Sequence, residues 1–147
     1  IHIKKKVDLI NSNTHVDIKE IFLKINKEKV ILKIDIEGDE YKVLNEILNL
    51  SGQVESILVE FHGLEENRDK FLSIINKIQK TYFIIHLHAN NITGYCKDNL
   101  PKTIEMTFLK KNDLNLGLKK INSYPITNLD YPNHPYIKDI GINFNEE

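Results

Sequence analysis

Three stretches of this chain end an apolar run in side chains that can do chemistry. They are Asp35-Ile36-Glu37-Gly38-Asp39-Glu40, Glu60-Phe61-His62-Gly63 and His86-Leu87-His88-Ala89-Asn90-Asn91. Carboxylates, imidazoles and carboxamides bind hydroxyls, ligate cations and move protons near neutral pH. Asp35 leads, because a carboxylate directly after buried strand residues meets the crevice where ligands bind. There it could bind a substrate hydroxyl, hold a metal or act as a base. The blander reading is that Asp35 and Asp39 complement the N-terminus of the following helix. Glu37 is a weaker candidate, and Glu40, in a first helical turn, reads as capping or solvated. His86 and His88 alternate in strand register and so share a face. With Asp35 and His62 they could ligate a divalent metal, without the specificity of a four-cysteine pattern. Alternatively, one histidine bonds the backbone at the sheet edge and the other faces solvent. Asn90 and Asn91 suit a turn, and beside two histidines they also suit a polyhydroxylated ligand.

Other chemistries lack their residues. The serines have no nucleophile-elbow context, and Cys96 reads as incidental. Neither a Gly-x-Gly-x-x-Gly nor a phosphate loop occurs. With 20 basic and 21 acidic side chains, a net charge of -1 gives no electrostatic reason to expect nucleic acid or an anionic membrane as partner. Arg68 is the only arginine, so guanidinium clamps on several phosphates are excluded. A lone cysteine excludes an internal disulfide and makes a reducing, cytoplasmic setting the simpler expectation. The longest apolar stretches are of strand length, which argues against a membrane span.

The elements that must position these residues follow from periodicity. At 147 residues the chain has the size of one domain, residues 1–147. Apolar positions 18, 21, 22 and 25 predict a helix after Asp17 as N-cap. Val30 to Ile36 reads as a strand rich in β-branched residues, with Lys33 snorkelling or marking its end. Further helices are expected over 40–50 and 67–78, and strands over 56–61, 82–87 and 104–109. Strands spaced by helices predict an α/β fold with a mostly parallel sheet. No helical stripe links the last two strands, so the final one is expected to run antiparallel beside its predecessor. Residues 112–147, rich in turns, read as an irregular tail packed over the sheet.

The segment Leu32-Lys33-Ile34-Asp35-Ile36-Glu37-Gly38-Asp39-Glu40-Tyr41-Lys42-Val43-Leu44 resembles the Lys-Ile-Asp-Val-Glu-Gly-x-Glu motif of FkbM-type, S-adenosylmethionine-dependent methyltransferases. His86-Leu87-His88-Ala89-Asn90-Asn91, followed by Pro101 and Ile104-Glu105-Met106-Thr107-Phe108, resembles a second family stretch. Leu129-Asp130-Tyr131-Pro132-Asn133-His134-Pro135 resembles a third. The resemblance implies the C-terminal portion of a class I, Rossmann-like sheet whose last strand is antiparallel. Val30 to Ile36 would be its fourth strand and Ile104 to Leu109 its seventh. It also implies O-methylation of a sugar or another small hydroxylated metabolite. Asp35 would position the acceptor and touch the cofactor, and His62 or His86 would be the base. Glu37, His88, Asn90, Asn91 and Glu105 would contact the acceptor. The glycine-rich turn carrying most cofactor contacts is absent from this sequence, so those contacts are expected in a part preceding it. The chain opens at Ile1 and its only methionine is Met106, which fits either a longer natural protein or a removed initiator. Two readings compete: a metal-dependent hydrolase or lyase using Asp35, His62, His86 and His88, and a non-catalytic binding module of the same fold.

Overall fold

The structure, a computed structural model, describes residues 3–25, 29–111, 117 and 119–144. Helix α1 (Ile18–Ile25) begins where Asp17 Oδ1 accepts from the Lys19 N–H at 2.8 Å, so the expected N-cap is made. Strand β3 (Val30–Ile34), helix α2 (Glu40–Asn49), strand β4 (Val54–Phe61), helix α3 (Arg68–Ile78), strand β5 (Tyr82–Ala89) and strand β6 (Ile104–Lys110) follow. Before α1 lie two three-residue strands, β1 (Lys6–Asp8) and β2 (His15–Asp17), paired in parallel. They are too short to leave a periodic signal in the sequence.

The main sheet has the order β3-β4-β6-β5. β3 pairs in parallel with β4, and β6 runs antiparallel to both β4 and β5. The expected antiparallel partner of β5 is therefore present, and it lies between β4 and β5 rather than at an edge. Three strands still point one way, so the ends of β3, β4 and β5 share one edge. Two boundaries differ from the periodic reading. β3 stops at Ile34 because the chain turns away through Glu37 (φ 54°) and Gly38 (φ 110°), leaving Asp35 beyond the last pair. β5 continues to Ala89, which puts His88 inside the ladder opposite Glu105.

One face of this sheet carries the core. Ile57, Val59 and Phe61 of β4 alternate inward and stand beside Phe108, Met106 and Ile104 of β6. Val43, Leu44 and Ile47 of α2 and Ile74 and Ile78 of α3 belong to the same buried cluster. Phe61 meets Tyr41 at 5.6 Å and Phe71 edge-on at 5.1 Å, which seats both helices on that face. The opposite face presents Ser56, Leu58, Glu60, Glu105, Thr107, His86 and His88, and the tail lies over its β5–β6 side. That tail is not wholly irregular, since Ser123–Tyr124 (β7) pairs antiparallel with Ile142–Asn143 (β8). Residues 112–116, 118 and 145–147 of the expected tail lie outside the described residues. Among the described residues no helix is long and apolar enough to cross a membrane.

Candidate active site at the carboxyl edge of the sheet

The carboxyl ends of three strands converge as the sequence led one to expect. Asp35 follows β3, Glu60 lies near the end of β4 and His62 just after it, and Asn90 follows β5. Asn90 Nδ2 donates to Glu60 Oε1 at 2.9 Å, which ties the end of β5 to that of β4. Asp35, Glu37 and His62 each bring a potential ligand atom into one group, all within 4.8 Å of one another. Neither aspartate caps α2 through its side chain. Asp39 stands at the N-cap without such a bond, and Asp35 Oδ2 lies 3.5 Å from Lys33 Nζ.

His62 is the best-fixed member of this group, and the residue that fixes it is a correction to the sequence reading. Glu40 is neither solvated nor a helix cap: it is completely buried. Its Oε1 accepts from the His62 backbone N–H at 2.6 Å and lies 3.2 Å from His62 Nδ1, and its Oε2 accepts from the Gly38 N–H at 2.8 Å. The next residue, Tyr41, donates its hydroxyl to the His62 carbonyl at 2.7 Å. Burial, with Glu40 beside it, pushes the Tyr41 phenol well above its ordinary value. The Glu40 carboxylate beside Nδ1 orients the ring so that Nε2 turns outward. That atom lies 3.5 Å from Glu37 Oε2 and 3.9 Å from Glu60 Oε1. The sequence did carry a signal for Glu40, because positions 40, 43, 44 and 47 form one apolar stripe of α2.

His86 and His88 share the tail-side face, but each turns toward the tail rather than toward Asp35 and His62. His88 Nε2 meets Asp139 Oδ2 at 3.2 Å, and Nδ1 lies 3.9 Å from Glu105 Oε2. His86 Nε2 is 2.9 Å from Asp130 Oδ1, close but not aligned as a hydrogen bond, and Tyr124 stands edge-on to the ring at 5.6 Å. Asn91 is buried: it donates to the His134 and Ile137 carbonyls at 3.0 and 2.8 Å and accepts from the His134 N–H at 2.9 Å. Asn91 and His88 thus bind the tail. Glu105 accepts from Asn133 Nδ2 at 3.0 Å. The four residues of the metal-dependent hydrolase reading do not gather. Among the described residues the candidate ligand group is Asp35, Glu37 and His62. Asp130 and Asp139, in the tail, carried no sequence signal that linked them to histidines so far upstream.

Between these two sets lies a shallow cavity of about 130 Å³, lined in part by Lys33, Leu58, Glu60, His86, Glu105 and Thr107. Glu60 joins them, since it lines the cavity and also faces His62. The arrangement offers carboxylates and imidazoles to a small polar ligand, and it can orient a hydroxyl and take its proton.

Residues 4–90 match the family model of the methyltransferase FkbM domain. No curated protein and no solved structure matches the chain. The matched segment includes Asp35, Glu37, Glu40, Glu60, His62, His86, His88 and Asn90, and it begins well before the Lys-Ile-Asp motif that carries the resemblance. It stops short of Asn91, Glu105 and the tail. Because the match spans more than half of the sequence, the chain belongs to the FkbM methyltransferase family.

Proposed function

We propose that this chain supplies the acceptor side of an S-adenosylmethionine-dependent O-methyltransferase acting on a sugar or another small hydroxylated metabolite. The observation that supports it is the meeting of Asp35, Glu60, His62 and Asn90 at one sheet edge in a chain of a methyltransferase family. We read the order β3-β4-β6-β5 as the matching part of a class I sheet. The cofactor contributes a sulfonium methyl. Among the described residues no glycine-rich turn follows a strand, so we read the polar groups at this edge as serving the hydroxylated acceptor.

In this reading Asp35 and Glu37 accept hydrogen bonds from acceptor hydroxyls at the open lip. Glu60 and Asn90 hold the floor, and Glu105 lines the cavity beneath. The acceptor hydroxyl must lose its proton as it attacks, and an imidazole lone pair within reach takes it. His62 Nε2 carries such a lone pair at the lip. His86, backed by Asp130, is the second candidate, from inside the cavity. His88 and Asn91 act on the acceptor by holding the tail in place.

The test is transfer of a labelled methyl group from S-adenosylmethionine to a panel of sugars and polyols. It is run on this chain and on the longest natural form of the protein. Asp35→Asn is expected to lower turnover at least about a hundredfold while the fold persists. Full turnover in Asp35→Asn would remove Asp35 from the chemistry. Absence of transfer in every form would favour the binding-module reading.

A further inference from the structure

We infer that Asp35, Glu37 and His62 form a divalent-cation site at the carboxyl edge of the sheet, whose open side binds adjacent oxygens of a polyhydroxylated ligand. The argument starts at His62. Glu40 takes Nδ1 at 3.2 Å, so the Nε2 lone pair points away from the buried carboxylate. It points at further carboxylates, Glu37 at 3.5 Å and Glu60 at 3.9 Å. At 3.5 and 3.9 Å neither carboxylate closes on the nitrogen, and the negative charge gathered around it attracts a cation. The carboxylate–imidazole–cation relay that this makes is the usual way a metal-ligating histidine is held.

The distances suit one shared ion. Donors about 2.1 Å from a common cation stand about 3.0 Å apart at right angles and about 4.2 Å apart across it. The Nε2 to Glu37 spacing of 3.5 Å falls within that range, and the outer limit of 4.8 Å for the group lies just beyond it. Glu37 is 85% exposed, so its side chain can close on an ion without disturbing the core. Asp35 is partly exposed and Lys33 Nζ lies 3.5 Å from it, so an ammonium already competes for the same charge. Two carboxylates and one imidazole form a mixed oxygen and nitrogen set that suits Mn²⁺ among the common divalent ions. Three protein ligands leave positions open to solvent, the layout of a site that receives a ligand rather than one that staples a fold. A vicinal diol or a hydroxy acid fills two such positions, the cation then acidifies the hydroxyl it holds, and with His62 Nε2 ligated the proton passes to His86, the second base named above. This last role rests on the acceptor-side reading above, whereas binding of the cation does not.

The experiment is a Mn²⁺ titration of the protein, followed by the electron paramagnetic resonance signal of the free ion, with neither cofactor nor acceptor present. One saturable Mn²⁺ per chain is expected. Glu37→Gln should weaken it about tenfold or more. Lys33→Met should tighten it about fivefold by removing the competing ammonium. Asp69→Asn, an exposed acid on α3, should leave it unchanged. Lys33, Glu37 and Asp69 are all exposed, so these changes leave the core intact and folding does not confound them. No saturable site, or a site indifferent to Glu37→Gln and Lys33→Met, overturns the proposal. Because no methyl transfer is read, failure here leaves the methyltransferase reading standing, and failure there leaves the cation site standing.

Discussion

Glu40 and Tyr41, consecutive residues at the start of α2, hold His62 by its main chain on both sides. The Glu40 carboxylate takes its backbone N–H at 2.6 Å, and the Tyr41 hydroxyl donates to its carbonyl at 2.7 Å. The helix after β3 thereby sets the end of β4, and the imidazole at that end is oriented by the same Glu40 oxygen.

Removing that carboxylate leaves the His62 N–H without its partner where the helix covers it. Glu40→Ala is therefore expected to cost about 3 kcal/mol of stability. Glu40→Gln, which keeps one acceptor oxygen, should cost less. Urea denaturation followed by circular dichroism measures both, and equal stability of Glu40→Ala and the parent would contradict the clamp.

Asn91 holds the tail by three hydrogen bonds to His134 and Ile137. Each such bond contributes about 1 kcal/mol, so Asn91→Ala should weaken tail docking by about 3 kcal/mol. Amide exchange at His134, whose N–H donates to Asn91 Oδ1, should accelerate, while the Val59 amide in the central ladder stays protected. A uniform loss of protection would instead place Asn91 in the global fold.

Tyr41 gives the protein an alkaline limit. Its phenol ionises above the ordinary 10.0 because burial, then the nearby Glu40 and Glu66 charges, oppose the anion. Above pH 10 the unfolded state therefore sheds a proton that the native state keeps. Stability from this group is complete below pH 10 and falls as pH rises through the folded value. Absorbance of tyrosinate against pH should show Tyr41 and Tyr124 ionising above the ordinary tyrosine value. Tyr41→Phe should flatten the alkaline fall in stability, although it loses about 1 kcal/mol at neutral pH with the bond to His62.

Cys96 is buried, with Sγ 3.5 Å from the Pro101 carbonyl, and burial raises its thiol. A disulfide reagent at neutral pH should react with it at least about a hundredfold more slowly in the native protein than in urea. Rapid native reaction would mean that the loop between β5 and β6 opens readily.

Much of the site was legible because strand ends are local events. Apolar runs ending in Asp35, in Glu60 and His62, and in Asn90 placed those residues at one edge as soon as the three strands were taken as parallel. Helix positions followed from stripes of the 3.6-residue period, which burial against a sheet imposes on any chain. The Lys-Ile-Asp motif added the family, and the match over residues 4–90 agrees.

The sequence by itself determined the order of the elements from α1 to β6, the pairing of β6 with β5 in opposite senses, and the side chains delivered to the carboxyl edge. Tertiary structure alone decided which of those side chains meet. Periodicity says which face a residue takes, and it carries no information about a partner dozens of residues away. Hence β6 could be foreseen beside β5, but its insertion against β4 could not. His86 and His88 were correctly set on one face, yet their partners Asp130 and Asp139 arrive from a tail with no periodic signal. Glu40 shows the same division. Its place on the apolar stripe was written in the sequence, whereas its role depends on His62 lying within reach across the turn. A buried carboxylate is stable only when donors converge on it, and the fold supplies those donors at Gly38 and His62.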